Sequence, residues 1–388
     1  MLECIVLSFF LLFIICLCLT KDYFHPTVIV SGLWTILLFC YSYLNHPLWD
    51  LSANFYIAIS LWVIPFVCCS YIFSAKPLKI NSVYKKYLPN IKLYRSLYKY
   101  ILCYSLLFIL AIFYYVGGLN LRSIRVFLLQ KDLPTFINIL FYLNTFMTVY
   151  VFYGILNDKI LSKKKIILLI ILLLTISILK SNKTSFLALF IGLVYILKRK
   201  NKLKIKYLIV AILTLLLFLC IVTINRGDYD FEAESALENF LYIYLLSPLT
   251  AFDSLINNET ILKEGTFGES VFEMFYKIFN IFGCNFKISE LGVWINVPLP
   301  TNVYTMMRGP YLDGGYLGIA LVSSLLGSIW GVLYTLQKKS YSIFIVFYAT
   351  MVSSLFFQSF GDYFFHSLSM TIQYYIFSII LNRGIKCL

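Results

Sequence analysis

A chain of 388 residues that is 61% hydrophobic and only 13% charged, with a mean hydropathy of +0.84, cannot hide its apolar surface in a water-soluble core. Its formal charge of +14 would suit nucleic acid, but the lysines and arginines sit in short stretches between apolar runs, which is how membrane topology is written. The composition therefore excludes a soluble enzyme and a nucleic-acid binder, and it predicts an all-α polytopic membrane protein.

The N-terminus, Met1-Leu2-Glu3-Cys4, has neither a basic leader nor a small-residue cleavage site, so the first apolar run reads as a retained helix. Runs near the roughly 20 residues that a crossing helix needs lie at 4–20, 27–44, 55–75, 97–117, 134–157, 164–179, 184–199, 205–224, 314–336, 341–358 and 364–381. That predicts about 11 transmembrane helices, within a range of 10–13. The chain divides into eight spans in 1–224, a large loop at 225–313, and three spans in 314–388. Eight of the ten cysteines lie in the apolar runs, Cys387 is terminal, and Cys284 is alone in the loop, so neither a disulfide framework nor a metal spacing is written here.

Orientation follows from the basic residues. The loops holding Lys21, 76–99, 159–165, 198–206, 338–339 and 383–386 carry 22 of the 32, which makes them cytoplasmic by the positive-inside rule. The large loop then faces outward. It holds twelve of the 18 acidic residues against five basic ones. Within it, 239–256 is apolar but broken by Pro248 and Asp253, and 267–283 is amphipathic, so both are expected to be interfacial or re-entrant helices.

Ionisable groups at the outer face are costly to keep near a membrane without a use. Arg122 and Arg125, three apart beside Lys131, would share one face of a helical turn and grip a phosphate, or else snorkel to the interface. Lys180 and Lys183 flank a tight outer turn of small hydrogen-bonding residues, suited to an anion or to plain turn chemistry. Arg226, where the eighth span opens into the loop, offers a planar fork for phosphate oxygens or an ion pair with Asp228 or Asp230. Asn302, Tyr304, Arg308 and Asp313 precede Gly314-Gly315, where the backbone can approach a ligand. Asp313 is there a candidate base, and equally a good N-cap. Asp362 and His366, four apart, would lie on one helical face as a carboxylate orienting an imidazole. No Walker loop, GxGxxG or metal-ligand cluster is present, so no cofactor, nucleotide or metal is expected.

The many spans, the single dominant outer loop, the basic turn 180–185, Arg226, and above all Thr301-Asn302-Val303-Tyr304-Thr305 … Tyr311-Leu312-Asp313-Gly314-Gly315-Tyr316-Leu317-Gly318 resemble oligosaccharide repeat-unit polymerases, the Wzy-type O-antigen polymerases. The chain departs from two patterns seen in some members, an Arg followed by ten residues and a Gly, and a His followed by seven and a Gly. The family's frequent Asp-Phe-Gly reads Asp313-Gly314-Gly315 here. The resemblance implies a GT-C-like fold in the bacterial inner membrane with a periplasmic active face. It implies a metal-independent glycosyltransferase that moves a growing glycan from undecaprenyl diphosphate to the non-reducing end of the next lipid-linked repeat unit. Arg226, Arg308, Asp313 and His366 would then be catalytic, and Arg122, Arg125, Lys180, Lys183, Asn302 and Tyr304 would bind substrate. The implied partners are undecaprenyl-diphosphate-linked oligosaccharides, membrane lipid and a chain-length regulator protein. An O-antigen ligase and a lipid-linked oligosaccharide flippase or transporter are the alternatives; the scarcity of mid-span charge counts against translocation.

Overall fold

A computed structural model of the chain describes residues 2–75, 91–118, 120–128, 133–157, 160–180, 183–203, 241–257, 268–286, 293–298, 300–338 and 342–383. Along them run α1 (Leu2–Thr20), α2 (Pro26–Tyr43), α3 (Ala53–Ala75), α4 (Ile91–Val116), α5 (Leu121–Leu128), α6 (Thr135–Leu156), α7 (Lys163–Leu179) and α8 (Lys183–Arg199). A π-helical turn, Leu241–Leu246, leads into α9 (Ser247–Asn257), followed by α10 (Glu273–Ile281). A two-stranded antiparallel hairpin, β1 (Ile295–Asn296) and β2 (Pro300–Thr301), precedes α11 (Arg308–Lys338), α12 (Ser342–Met351), α13 (Ser353–Phe356) and α14 (Leu368–Arg383).

The protein is an all-α polytopic membrane protein. Helices α1, α2, α3, α4, α6 and α11 are each long and apolar enough to cross a bilayer. Apolar side chains are exposed along them, Leu7, Leu11 and Ile15 on α1 and Leu317, Leu321 and Leu325 on α11, as lipid contact demands. The expected span at 205–224 lies outside the described residues, as do Lys131 and Arg226.

One expectation is corrected. The stretch 341–358 is not one helix, and α14 starts at Leu368, so residues 357–367 form a non-helical turn in which Asp362 and His366 do not share a helical face. The cause is local: Asp362 Oδ1 accepts the N–H groups of Phe364 and Phe365, both at 2.8 Å, and Gly361 takes φ +141°. Helix α9 is buried along nine of its eleven residues. Its acid, Asp253, can be buried because its carboxylate accepts the Ser52 N–H (3.0 Å), the Ser52 hydroxyl and the Asn257 amide (3.1 Å).

The chain forms two compact units, each discontinuous in sequence. The first takes Met1–Leu78, Leu237–Leu336 and Ser354–Ser369. Its spine is the contact of α3 with α11. A Cβ on Gly327 would stand 2.5 Å from the Phe66 carbonyl oxygen, and one on Gly331 would stand 2.6 Å from that of Ser70. Ser323, one turn earlier, donates its hydroxyl to the Trp62 carbonyl. Small residues four apart thus let two backbones touch, the usual device where lipid removes the hydrophobic drive between helices. Gln358 ties the turn 357–367 to this core. Its side-chain oxygen accepts the indole N–H of Trp34 (3.2 Å) and Trp62 (3.0 Å), and its carbonyl accepts the Met306 N–H (2.8 Å).

At the start of α11 the helix is broken. Gly314 has φ −162° and ψ 22°, and Gly315 has φ +59° and ψ −143°, the latter in a region that only glycine visits freely. A short turn from Arg308 to Asp313 is thereby set off from the remainder of α11.

The second unit comprises Lys79–Ala236, Gln337–Ser353 and Met370–Leu388. In it α8 meets α6 and α12 at Gly192, where a Cβ would stand 2.6 Å from the Ala349 carbonyl oxygen and 2.6 Å from the Phe152 ring. Tyr94 and Tyr150 stack at 4.0 Å, and each donates its hydroxyl to the other's carbonyl, locking α4 to α6.

Candidate functional site

The first unit contains a cavity of about 450 Å³ whose polar lining includes Asn302, Tyr304, Thr305, Arg308, Asp362 and His366. The β1–β2 hairpin delivers Asn302 and Tyr304 to it, and the Tyr304 hydroxyl donates to the Val293 carbonyl at 3.1 Å, bracing this segment. The first turn of α11 delivers Arg308, whose guanidinium lies 4.6 Å from the Tyr304 ring centroid. Burial raises the Tyr304 phenol while Arg308 draws it back, so the ring stays neutral beside the cation. Thr305 is 2% exposed and its hydroxyl has no hydrogen-bond partner among the described residues, an unpaired polar group on the wall of a cavity.

His366 and Asp362 come from the turn after α13. Burial pushes the Asp362 carboxyl up, partly offset by His366 and by the backbone N–H groups it accepts. Those bonds engage Asp362 within its own turn. The imidazole pairs elsewhere: its Nδ1 is 2.9 Å from Oε2 of Glu273, a buried residue at the first position of α10. Glu273 also holds Lys277 through its other oxygen. Burial pushes the Glu273 carboxyl up, but the bonds from Lys277 and His366 outweigh this and hold it below its ordinary value. Sequence reading missed Glu273. Its one signal was an acid opening an amphipathic helix in the outer loop.

Asp313 lies one step behind the cavity wall. Its carboxylate accepts the N–H of Ser270 at 2.8 and 3.1 Å and that of Val271 at 2.9 Å, so it clamps the segment leading into α10. Gly309 permits the same approach, since a Cβ there would stand 3.3 Å from the Ser270 carbonyl oxygen.

The other candidates belong to the second unit. Arg122 is exposed near the start of α5, whose first N–H groups are capped by Asn120 Oδ1 at 2.9 Å to Arg122 and 3.4 Å to Ser123; Arg125 follows one turn later. Lys180 follows the last residue of α7, with its ammonium 4.9 Å from the Phe141 ring centroid, and Lys183 is the first residue of α8. Among the described residues no group of three His, Cys, Asp or Glu side chains gathers as a metal site would require.

Fold and cavity together define a polytopic membrane protein in which a guanidinium and an imidazole line one polar cavity. Residues 5–357 match the family described as "Putative O-antigen polymerase", and the chain belongs to that family. The matched range takes in Glu273, Arg308 and Asp313 and stops short of Asp362 and His366. No curated protein and no solved structure matches the chain.

Proposed function

We propose that this chain is a glycosyltransferase of the bacterial inner membrane that polymerises O-antigen on the periplasmic face. It transfers the growing glycan from undecaprenyl diphosphate to the non-reducing end of the next lipid-linked repeat unit. The observation that carries this reading is the shared cavity of Arg308 and His366 in a chain of the O-antigen polymerase family. In the reaction a hydroxyl of the acceptor sugar loses its proton to the His366 ring and attacks the anomeric carbon of the donor glycan. The bond from that carbon to the diphosphate breaks, and the electron pair departs with undecaprenyl diphosphate. Arg308 meets the charge that develops on the leaving group with a fixed, planar donor set. Asn302 and the Thr305 hydroxyl supply hydrogen bonds to sugar hydroxyls. Asp313 acts by holding the segment before α10, because its oxygens are already engaged there.

Deletion followed by analysis of surface glycan length tests this. Loss of a polymerase leaves core lipid bearing a single repeat unit, whereas loss of a ligase or flippase leaves none. Arg308→Ala should abolish long chains while the protein still inserts, a loss of about 10²–10³-fold in rate for one fixed donor. Normal chain lengths in that variant would remove the diphosphate grip.

A further inference from the structure

We propose that Glu273 is a positioning residue that fixes the His366 ring, so that Nδ1 carries the proton and Nε2 is presented to the acceptor hydroxyl. The role rests on the polymerase reading above. Nothing in the sequence pairs these residues: 93 positions separate them. The structure brings them together through a chain of supports. Asp313 accepts the N–H groups of Ser270 and Val271, fixing the approach to α10. Phe272 and Phe365, the immediate neighbours of the pair, meet edge to face at 5.2 Å, so both backbones are held where the side chains meet.

Chemistry then assigns the roles. An imidazole has one donor and one acceptor nitrogen when neutral, and the group bonded to one nitrogen decides which tautomer exists. Against Glu273 Oε2 at 2.9 Å, Nδ1 is the donor. The lone pair is then on Nε2, which makes no hydrogen bond to any described residue. When Nε2 takes the proton of the attacking hydroxyl, the resulting imidazolium sits against a carboxylate that is held in its charged form. The proton leaves to water after the glycan has moved, and the pair returns to its starting state. Among the described residues, Lys277 on the other oxygen of Glu273, and Arg308 and Asp362 on the same cavity, are the other ionisable groups facing this site. A bare i,i+4 pair between Glu273 and Lys277 would not call for burying the acid. Lys277 is 57% exposed, and such surface pairs contribute little, whereas the Glu273 side chain is 10% exposed.

The test uses the full chain in lipid nanodiscs. The probe is the polyprenyl-diphosphate-linked repeat unit extracted from a strain lacking this protein. Glu273→Gln keeps the shape of the side chain, and Glu273→Ala removes the contact. Both should lower kcat by about tenfold or more with KM unchanged, as expected when a base is misaligned and substrate binding is not. In a His366→Ala background, Glu273→Ala should cost nothing further, because the two act as one unit. Losses that add, or a rise in KM with kcat intact, would show a merely structural acid and overturn the proposal. If the unaltered protein builds no longer glycan from the extracted lipid, the polymerase reading falls and takes this role with it. Activity in the unaltered protein with additive losses removes the Glu273 role alone.

Discussion

Glu273 carries its charge in a place that burial alone would make costly, and that has a measurable consequence for stability. Its folded-state carboxyl lies below the ordinary value of 4.5 because hydrogen bonds from Lys277 and His366 outweigh desolvation. For an acid with a depressed folded value, the stabilisation is complete above the unfolded value and is lost as pH falls through the folded one. The melting temperature of the detergent-solubilised protein should therefore exceed that of Glu273→Gln at pH 7, and the gap should close below pH 4.5. Equal melting at pH 7 would mean the carboxylate is not held in this way. The imidazole itself was legible in the sequence as a candidate, and so was its need for a carboxylate. Its partner was not. Spacing alone favours Asp362, four residues away, but Asp362 spends its acceptor on the N–H groups of Phe364 and Phe365, and only the fold brings Glu273 into reach.

At the scale of elements, hydropathy located α1, α2, α3, α4, α6 and α11 because a bilayer-crossing helix must be apolar for its whole length. The same signal did not show how α9 is packed. Pro248 and Asp253 look like interruptions of an apolar run, and nothing in the run foretells that Ser52 and Asn257 satisfy the acid and let nine residues of the helix be buried. The interdigitation of α3 and α11 was equally hidden, since Ser323, Gly327 and Gly331 are small residues of no obvious purpose until the second backbone is beside them. Gly327→Ala should lower stability by about 1–3 kcal/mol, the usual range for overpacking, because its Cβ would meet the Phe66 carbonyl at 2.5 Å. Gly118→Ala, with open space around its Cβ, is the control and should melt like the parent in the same thermal assay. Comparable melting of both variants would refute the close contact.

For the whole molecule, the uneven placement of lysine and arginine gives a prediction about sidedness. Cys284, exposed just beyond α10, belongs to the loop that the charge pattern directs outward. In intact cells with a permeable outer membrane, a membrane-impermeant maleimide should label Cys284, and Cys284→Ser should lose that label. Labelling only after the inner membrane is breached would invert the topology and move the cavity of Arg308 and His366 to the cytoplasm. The break at Gly314-Gly315 bears on the same cavity in another way. The dihedral angles of Gly315 are the mirror image of an ordinary extended residue, and beyond its own stretch of backbone nothing crowds the position its Cβ would take. The handedness of amino acids therefore reserves the position for glycine: a D-alanine would fit where an L-alanine is strained. Glycine permits this bend without dictating it, so the angle at which the Arg308 turn leaves its helix is held from outside, by the Asp313 bonds to Ser270 and Val271 and by the close pass of the Pro310 carbonyl over Gly318.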